Sequence, residues 1–115
     1  MGKKFLGEFE ELIMLAILKL GENLAYGVPI AEAIEEASGK RVSIGALYTS
    51  LGRLEDKGFI RSWVGESTVE RGGRAKKYYA VESSGIEVLR DIHQTRSEIL
   101  KATENIPTEA ELLPI

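Results

Sequence analysis

Thr49 and Arg53 stand one helical turn apart inside the nineteen-residue stretch from Val42 to Ile60, VSIGALYTSLGRLEDKGFI. A guanidinium offers a fork of N–H donors that matches guanine O6 and N7, and threonine offers a hydroxyl to a base edge or a methyl to thymine. Gly45 and Ala46 beside them carry almost no bulk, so they too can lie against base edges. Ser43, Tyr48 and Ser50 bear hydroxyls that suit phosphate oxygens. Ser43 also fits a helix N-cap, its hydroxyl accepting from a free backbone N–H, and a helix N-terminus attracts phosphate. The chemistry on offer is recognition of a nucleic-acid duplex.

These groups work together only if a helix carries them. At helical spacing Ile44, Leu47, Leu51 and Leu54 fall on one side, and Gly45, Ala46, Thr49, Gly52 and Arg53 on the other. One side is apolar and the other small and polar, as a helix needs when it approaches a major groove closely. Gly58 supplies the left-handed residue that ends this helix after Lys57. The alternative for Tyr48 is partial burial beside Ile44 and Leu51, and Ser43 could be a simple cap.

Upstream, apolar residues at Phe5, Phe9, Leu12, Ile13, Ala16, Ile17 and Leu20 predict a first helix over 5–20, with Glu8, Glu10 and Glu11 in its favourable early turns and Gly21 closing it. A polar connection leads to Tyr26-Gly27-Val28-Pro29, where proline suits a first turn. A second helix then runs to about Ser38, with Ile30, Ala33, Ile34 and Ala37 inside and Gly39 at its end. Lys40-Arg41-Val42 is a tight turn into the stretch above, so the second and third helices form a helix-turn-helix.

Downstream, 59–64 and 76–81 are β-branched and aromatic and predict a hairpin. Its long connection contains Arg71-Gly72-Gly73-Arg74. Arg71, Arg74, Lys76 and Lys77 make this a basic wing able to follow a phosphate backbone; a solvated hairpin is the alternative. Trp63 is read as packing beneath the wing, with stacking on a flat ligand as the rival. From Ser83 a last helix carries Ile86, Leu89, Ile92, His93, Arg96, Ile99 and Leu100 at coiled-coil-like spacing and ends at Pro107. A helix that follows a finished three-helix core yet keeps an apolar stripe predicts a second copy covering it.

The chain has 115 residues and no cysteine, enough for one core without disulfides or thiolate metal sites. One histidine without a ligand-spaced partner predicts no metal, and no phosphate loop or nucleophile spacing suggests an enzyme or a cofactor. No apolar run is long enough to span a membrane, and there is no signal-peptide pattern, so a soluble cytoplasmic protein is expected. Net charge is −3. Residues 40–81 nonetheless carry nine positive and four negative side chains, a net +5 against −8 elsewhere. A basic middle between acidic ends suits a protein that meets an anion on one face.

The ordered set Leu6-Gly7 with Glu10 or Glu11, Tyr26-Gly27, Gly45-Ala46-Leu47-Tyr48 with Leu51, Arg53-Leu54-Glu55, Gly58-Phe59-Ile60, Gly72-Gly73-Arg74, Lys77-Tyr78-Tyr79 and Gly85 resembles the PadR-type winged-helix transcriptional regulators over nearly the whole chain. The resemblance implies a homodimeric repressor on a two-fold operator near a promoter, with the third helix in the major groove, the wing alongside, and often an effector that loosens binding. Tyr48 matches a tyrosine that contacts DNA in such proteins. Thr49 replaces a frequent proline and Glu82 a frequent threonine, and the short carboxy-terminal region lacks the tryptophan that a flat aromatic effector would use.

The expected fold is therefore mostly α with a β-hairpin wing: a winged helix-turn-helix over 1–82, a C-terminal dimerisation helix over 83–106 and a tail over 107–115. The expected partners are double-stranded DNA, a second copy and an unknown small-molecule effector. A winged-helix protein-interaction module that does not bind DNA is the rival reading, and the acidic net charge favours it.

Overall fold

A computed structural model describes residues 6–65 and 75–103. In chain order it contains α1 (Glu8–Leu20), α2 (Gly27–Ser38), α3 (Ile44–Asp56), β1 (Ile60–Val64), β2 (Lys77–Val81) and α4 (Ser83–Thr103). The expected element order and types hold. Phe5, the proposed turn at Arg71–Arg74, the stop at Pro107 and the tail residues Leu112, Leu113 and Ile115 lie outside the described residues.

Three helices close over one core in which Ile13, Met14, Ile30, Leu47, Leu51, Leu54 and Ile60 are fully buried. Each such side chain contributes about 1.5–3 kcal/mol relative to leaving it in water. α1 begins at Glu8, and Glu10 Oε1 accepts from the Gly7 N–H at 3.3 Å, satisfying a donor that the helix itself cannot. Met14, absent from the predicted stripe, is buried because α1 is covered over a wider arc: the seat of α4 at Gly85 lies against the Met14 Cε.

In α2 the buried residues are Ile30, Ala31 and Ile34, while Ala33 is half-buried and Ala37 exposed. The predicted inner face is thus rotated towards Ala31, and Ala37 lies past the edge of the core, where it lines an apolar groove with Leu12, Leu15, Ala16 and Ala33. Pro29 occupies the third helical position, where its missing N–H has no helical partner to lose. Gly39 adopts φ +72° to end the helix. The Val42 N–H donates to Glu35 Oε2 at 2.8 Å and the Lys40 N–H to Ser38 Oγ at 3.1 Å, which ties the α2–α3 turn back onto α2.

β1 and β2 pair antiparallel, from Ile60 opposite Val81 to Val64 opposite Lys77. The residues before α2 join them: Tyr26 bridges Tyr78, and the Tyr79 N–H donates to the Ala25 carbonyl at 2.9 Å. The polar connection expected between α1 and α2 therefore ends in a strand-like edge, a bridge too short to leave an alternating pattern. α4 seats where Gly85 passes the Phe59 carbonyl, and a Cβ there would fall 2.8 Å from Met14 Cε and Val81 Cγ1. Ser84 Oγ donates to the Gly58 carbonyl at 2.7 Å, and the Glu82 N–H to the Phe59 carbonyl at 2.8 Å.

Candidate nucleic-acid interface

α3 is held from three sides. Ser43 caps it, its Oγ accepting from the Ala46 N–H at 3.3 Å. At the other end the Gly58 and Phe59 N–H groups donate to the Glu55 and Leu54 carbonyls, and Gly58 takes φ +79°. Glu55 anchors the hairpin, accepting from Ser62 Oγ at 2.6 Å with Lys77 Nζ 3.9 Å away. Lys57 Nζ reaches both oxygens of Glu10 on α1 at 3.2 Å.

The face left uncovered carries Ser43, Gly45, Ala46, Tyr48, Thr49, Gly52 and Arg53, all exposed. Two assignments change. Ser50 is 7% exposed and turned into the core, so its hydroxyl cannot meet a phosphate. Ile44, expected inside, is 49% exposed, because the first residue of α3 stands beyond the edge of the core that Leu47 and Leu51 fill. Thr49 Oγ1 donates to the Gly45 carbonyl at 2.9 Å.

Tyr48 is half exposed, and its phenol lies across Gly27, where any Cβ would overlap the ring and hydroxyl. That contact explains the Tyr26-Gly27 pair: α2 can start so close to α3 only without a side chain at 27. It also brings the hydroxyl to the first turn of α2, where helical N–H groups lack internal partners. Beneath it Tyr79 is buried, and burial pushes its phenol above the ordinary value near 10, with the Tyr48 phenol and the Glu55 carboxylate pushing the same way.

The positive charge of residues 40–81 divides unevenly. Lys57 and Lys77 pair with Glu10 and Glu55, Arg61 pairs with Glu82 at 3.4 Å, and Lys76 Nζ stands 3.8 Å from the centre of the Tyr26 ring. Lys76 and Lys77, expected to be free for phosphate, are thus both engaged within the chain. Arg71 and Arg74 lie outside the described residues. Lys40, Arg41 and Arg53 are exposed and have no ion pair among the described residues. Lys40 and Arg41, which the sequence marks only as a tight turn, stand three and two residues before the Ser43 cap, and that position is the signal for a phosphate contact.

Trp63 is half-buried instead of buried under the wing. It stacks on Tyr78 across the strands at 6.1 Å, with the Arg61 guanidinium 5.3 Å from the centre of its ring, and Tyr78 meets Tyr26 edge-on at 5.5 Å. The row fills the outer face of the hairpin and leaves the indole with intramolecular partners.

On α4 the predicted seam is also redistributed. Leu89 and Ile92 are 8% and 9% exposed within one chain, so they dock α4 instead of facing a second copy. Arg96 is no polar gap in a seam: it grips Glu11 of α1 through two bonds of 2.7 and 2.6 Å, and Glu11 is 7% exposed. Ile99, Leu100 and His93 are exposed and Ile86 half-buried. Among the described residues no helix is long and apolar enough to cross a membrane.

The fold matches solved structures of known proteins. A PadR-like transcription factor of Bacteroides fragilis superposes with a TM-score of 0.67 at 27% identity, over 84% of this chain and 86% of that one. A PadR family transcription regulator of Clostridium difficile gives 0.66 at 27% identity, over 84% and 95%. A PadR-like transcriptional regulator of Bacillus cereus, at 24% identity, shares the fold with a TM-score of 0.68 over 84% and 88%. No curated protein sequence matches the chain. The family model described as "Transcriptional regulator PadR-like family" matches residues 14–91, which span every element from α1 into α4 and the whole exposed face of α3. With a winged helix-turn-helix and that match over most of its length, the chain belongs to the PadR-like family of DNA-binding transcriptional regulators, and not to a family of enzymes.

Proposed function

We propose that the protein is a homodimeric repressor that inserts α3 into the major groove of each half of a two-fold operator. One observation carries the reading: the uncovered face of α3 combines residues of little bulk, Gly45 and Ala46, with a guanidinium, Arg53, that the rest of the described chain leaves unpaired. Arg53 and Thr49 meet base edges in this reading, while Ser43 at the helix N-terminus and the Tyr48 hydroxyl beside the first turn of α2 meet phosphates. Lys40 and Arg41 extend that phosphate track on one side. Arg71 and Arg74, which lie outside the described residues, are the further phosphate candidates by sequence, with Lys76 and Lys77 in a secondary part.

Dimerisation is assigned to the end of α4, through Ile99 and Leu100 with Ile86 and His93 along the same helix. Exposed Leu15 and Leu18 of α1 add apolar surface that a second copy can cover. An effector that loosens DNA binding, and a cytoplasmic location, complete the reading on the strength of the family alone. Selecting bound fragments from random DNA tests it: a two-fold sequence with half-sites about one or two helical turns apart is expected. The rival, an interaction module that has lost DNA binding, is favoured by the net charge of −3. It predicts no enrichment in that selection and no salt-dependent retention on duplex DNA.

A further inference from the structure

Ile44 is the first residue of α3, and 49% of its surface meets water while Leu47, Leu51 and Leu54 of the same helix are fully buried. A half-exposed branched aliphatic side chain at that place adds little to the core. It is exposed because it stands at the N-terminal end of α3, at the margin between the buried stripe and the open face that carries Ala46 and Thr49. The Thr49 hydroxyl donates to the Gly45 carbonyl, so towards a base it keeps only its acceptor lone pairs, and beside them stands its γ-methyl. Tyr48, between them, lays its ring over Gly27. The first turns of α3 thus present methyl groups, and along the helix a cation appears only at Arg53.

In the major groove the one apolar feature of the base edges is the C5-methyl of thymine. We infer that Ile44 and Thr49 recognise thymine methyl groups, so that each half-site is read by methyl contacts next to a guanine paired with Arg53. The inference rests on the DNA-binding reading above and adds to it the identity of the chemical groups read.

The test uses the full chain and the DNA sequence recovered by selection. Each thymine of a half-site is replaced in turn by deoxyuridine, which removes the methyl and keeps the base pair. At each contacted thymine the affinity should fall about fourfold, the worth of one buried methyl-sized group. Ile44→Ala should bind thymine and deoxyuridine equally at one of those positions. Thr49→Ser should do so at another, whereas Thr49→Val should keep the discrimination. Both residues are exposed, and thermal melting checks that the variants remain folded.

Indifference to deoxyuridine at every thymine overturns the inference while leaving the DNA-binding reading in place. So does discrimination that survives in both Ile44→Ala and Thr49→Ser. Binding lost in Thr49→Val but retained in Thr49→Ser overturns it as well, because the hydroxyl would then be the reader. Selection that recovers no sequence overturns the DNA-binding reading itself.

Discussion

The base of the hairpin and the approach to α3 are both rich in cations, yet the fold treats the two regions differently. At the hairpin Arg61 and Lys77 sit against Glu82 and Glu55, and Lys76 against the Tyr26 ring. Around α3, Lys40, Arg41 and Arg53 are left over. Charges of the first kind fasten one element to another: Arg61 and Lys77 already face carboxylates, and Lys76 keeps its charge but would have to leave the Tyr26 ring to meet a polyanion. Charges of the second kind are free to neutralise phosphates, and each one that does so releases counterions condensed on the DNA. Positive charge summed along a sequence measures neither kind; only the difference between them predicts where an anion binds.

Arg96 gives the largest expected effect on the fastening side. Arg96→Met would leave Glu11 buried without a partner and should cost about 2 kcal/mol in urea unfolding, less than the ~3–5 kcal/mol of a fully buried pair because the arginine end is half in water. A change within ~0.5 kcal/mol would move Arg96 to the left-over class. Among the left-over cations, Arg53→Ala should weaken operator binding about tenfold or more and relax the base preference at one position, with unfolding stability unchanged. Titration against salt then separates the groups directly. Lys40→Ala with Arg41→Ala should reduce the slope of log affinity against log salt by about two, and Lys76→Ala with Lys77→Ala by less than one. Equal reductions would abolish the distinction.

The smallest effect is at Tyr79, on the fastening side beneath Tyr48. Its raised value means that the folded state holds a proton which the unfolded chain has begun to release, so the stabilisation is complete below the ordinary value near 10 and is lost as pH rises beyond it. Urea midpoints for the protein should fall from about pH 9 to about pH 11, and Tyr79→Phe should flatten that decline. An unchanged decline in the variant would assign it to other groups.

What could be read in advance was whatever is decided within a few residues. The Ser43 cap, the glycines that end α2 and α3, and the alternation of the two strands are local chemistry, and each stands where the pattern puts it. The errors lie where a neighbour distant in sequence decides. Ile44 is exposed because the core ends one turn short of the start of α3, a limit that helical periodicity does not contain; Ser50, three residues after Leu47 and four before Leu54, lies on the buried stripe itself, where position outweighs its hydroxyl. Arg96 finds a partner 85 residues away on α1, so a heptad reading takes it for a flaw in a seam. Lys76 and Lys77 look free in a list of charges because Tyr26 and Glu55 come from other elements. Trp63 looks like a core residue because its cross-strand neighbour Tyr78 is known only once the register is set.

Gly85 is the first of the seats that set the direction of α4, ahead of Leu89, Ile92 and the Glu11–Arg96 pair. From its close seat against Phe59 and Met14, α4 extends a further eighteen residues to Thr103, an arm of about 27 Å at helical rise. A tilt of ~5° at that seat moves the far end by about 2 Å, comparable with the ~3.4 Å step between base pairs along a DNA strand. In two chains joined through those ends, the leverage is applied twice. The Glu11–Arg96 pair, eleven residues out along the arm, braces α4 against α1, and in the proposed dimer that angle would set how far apart the two reading helices stand.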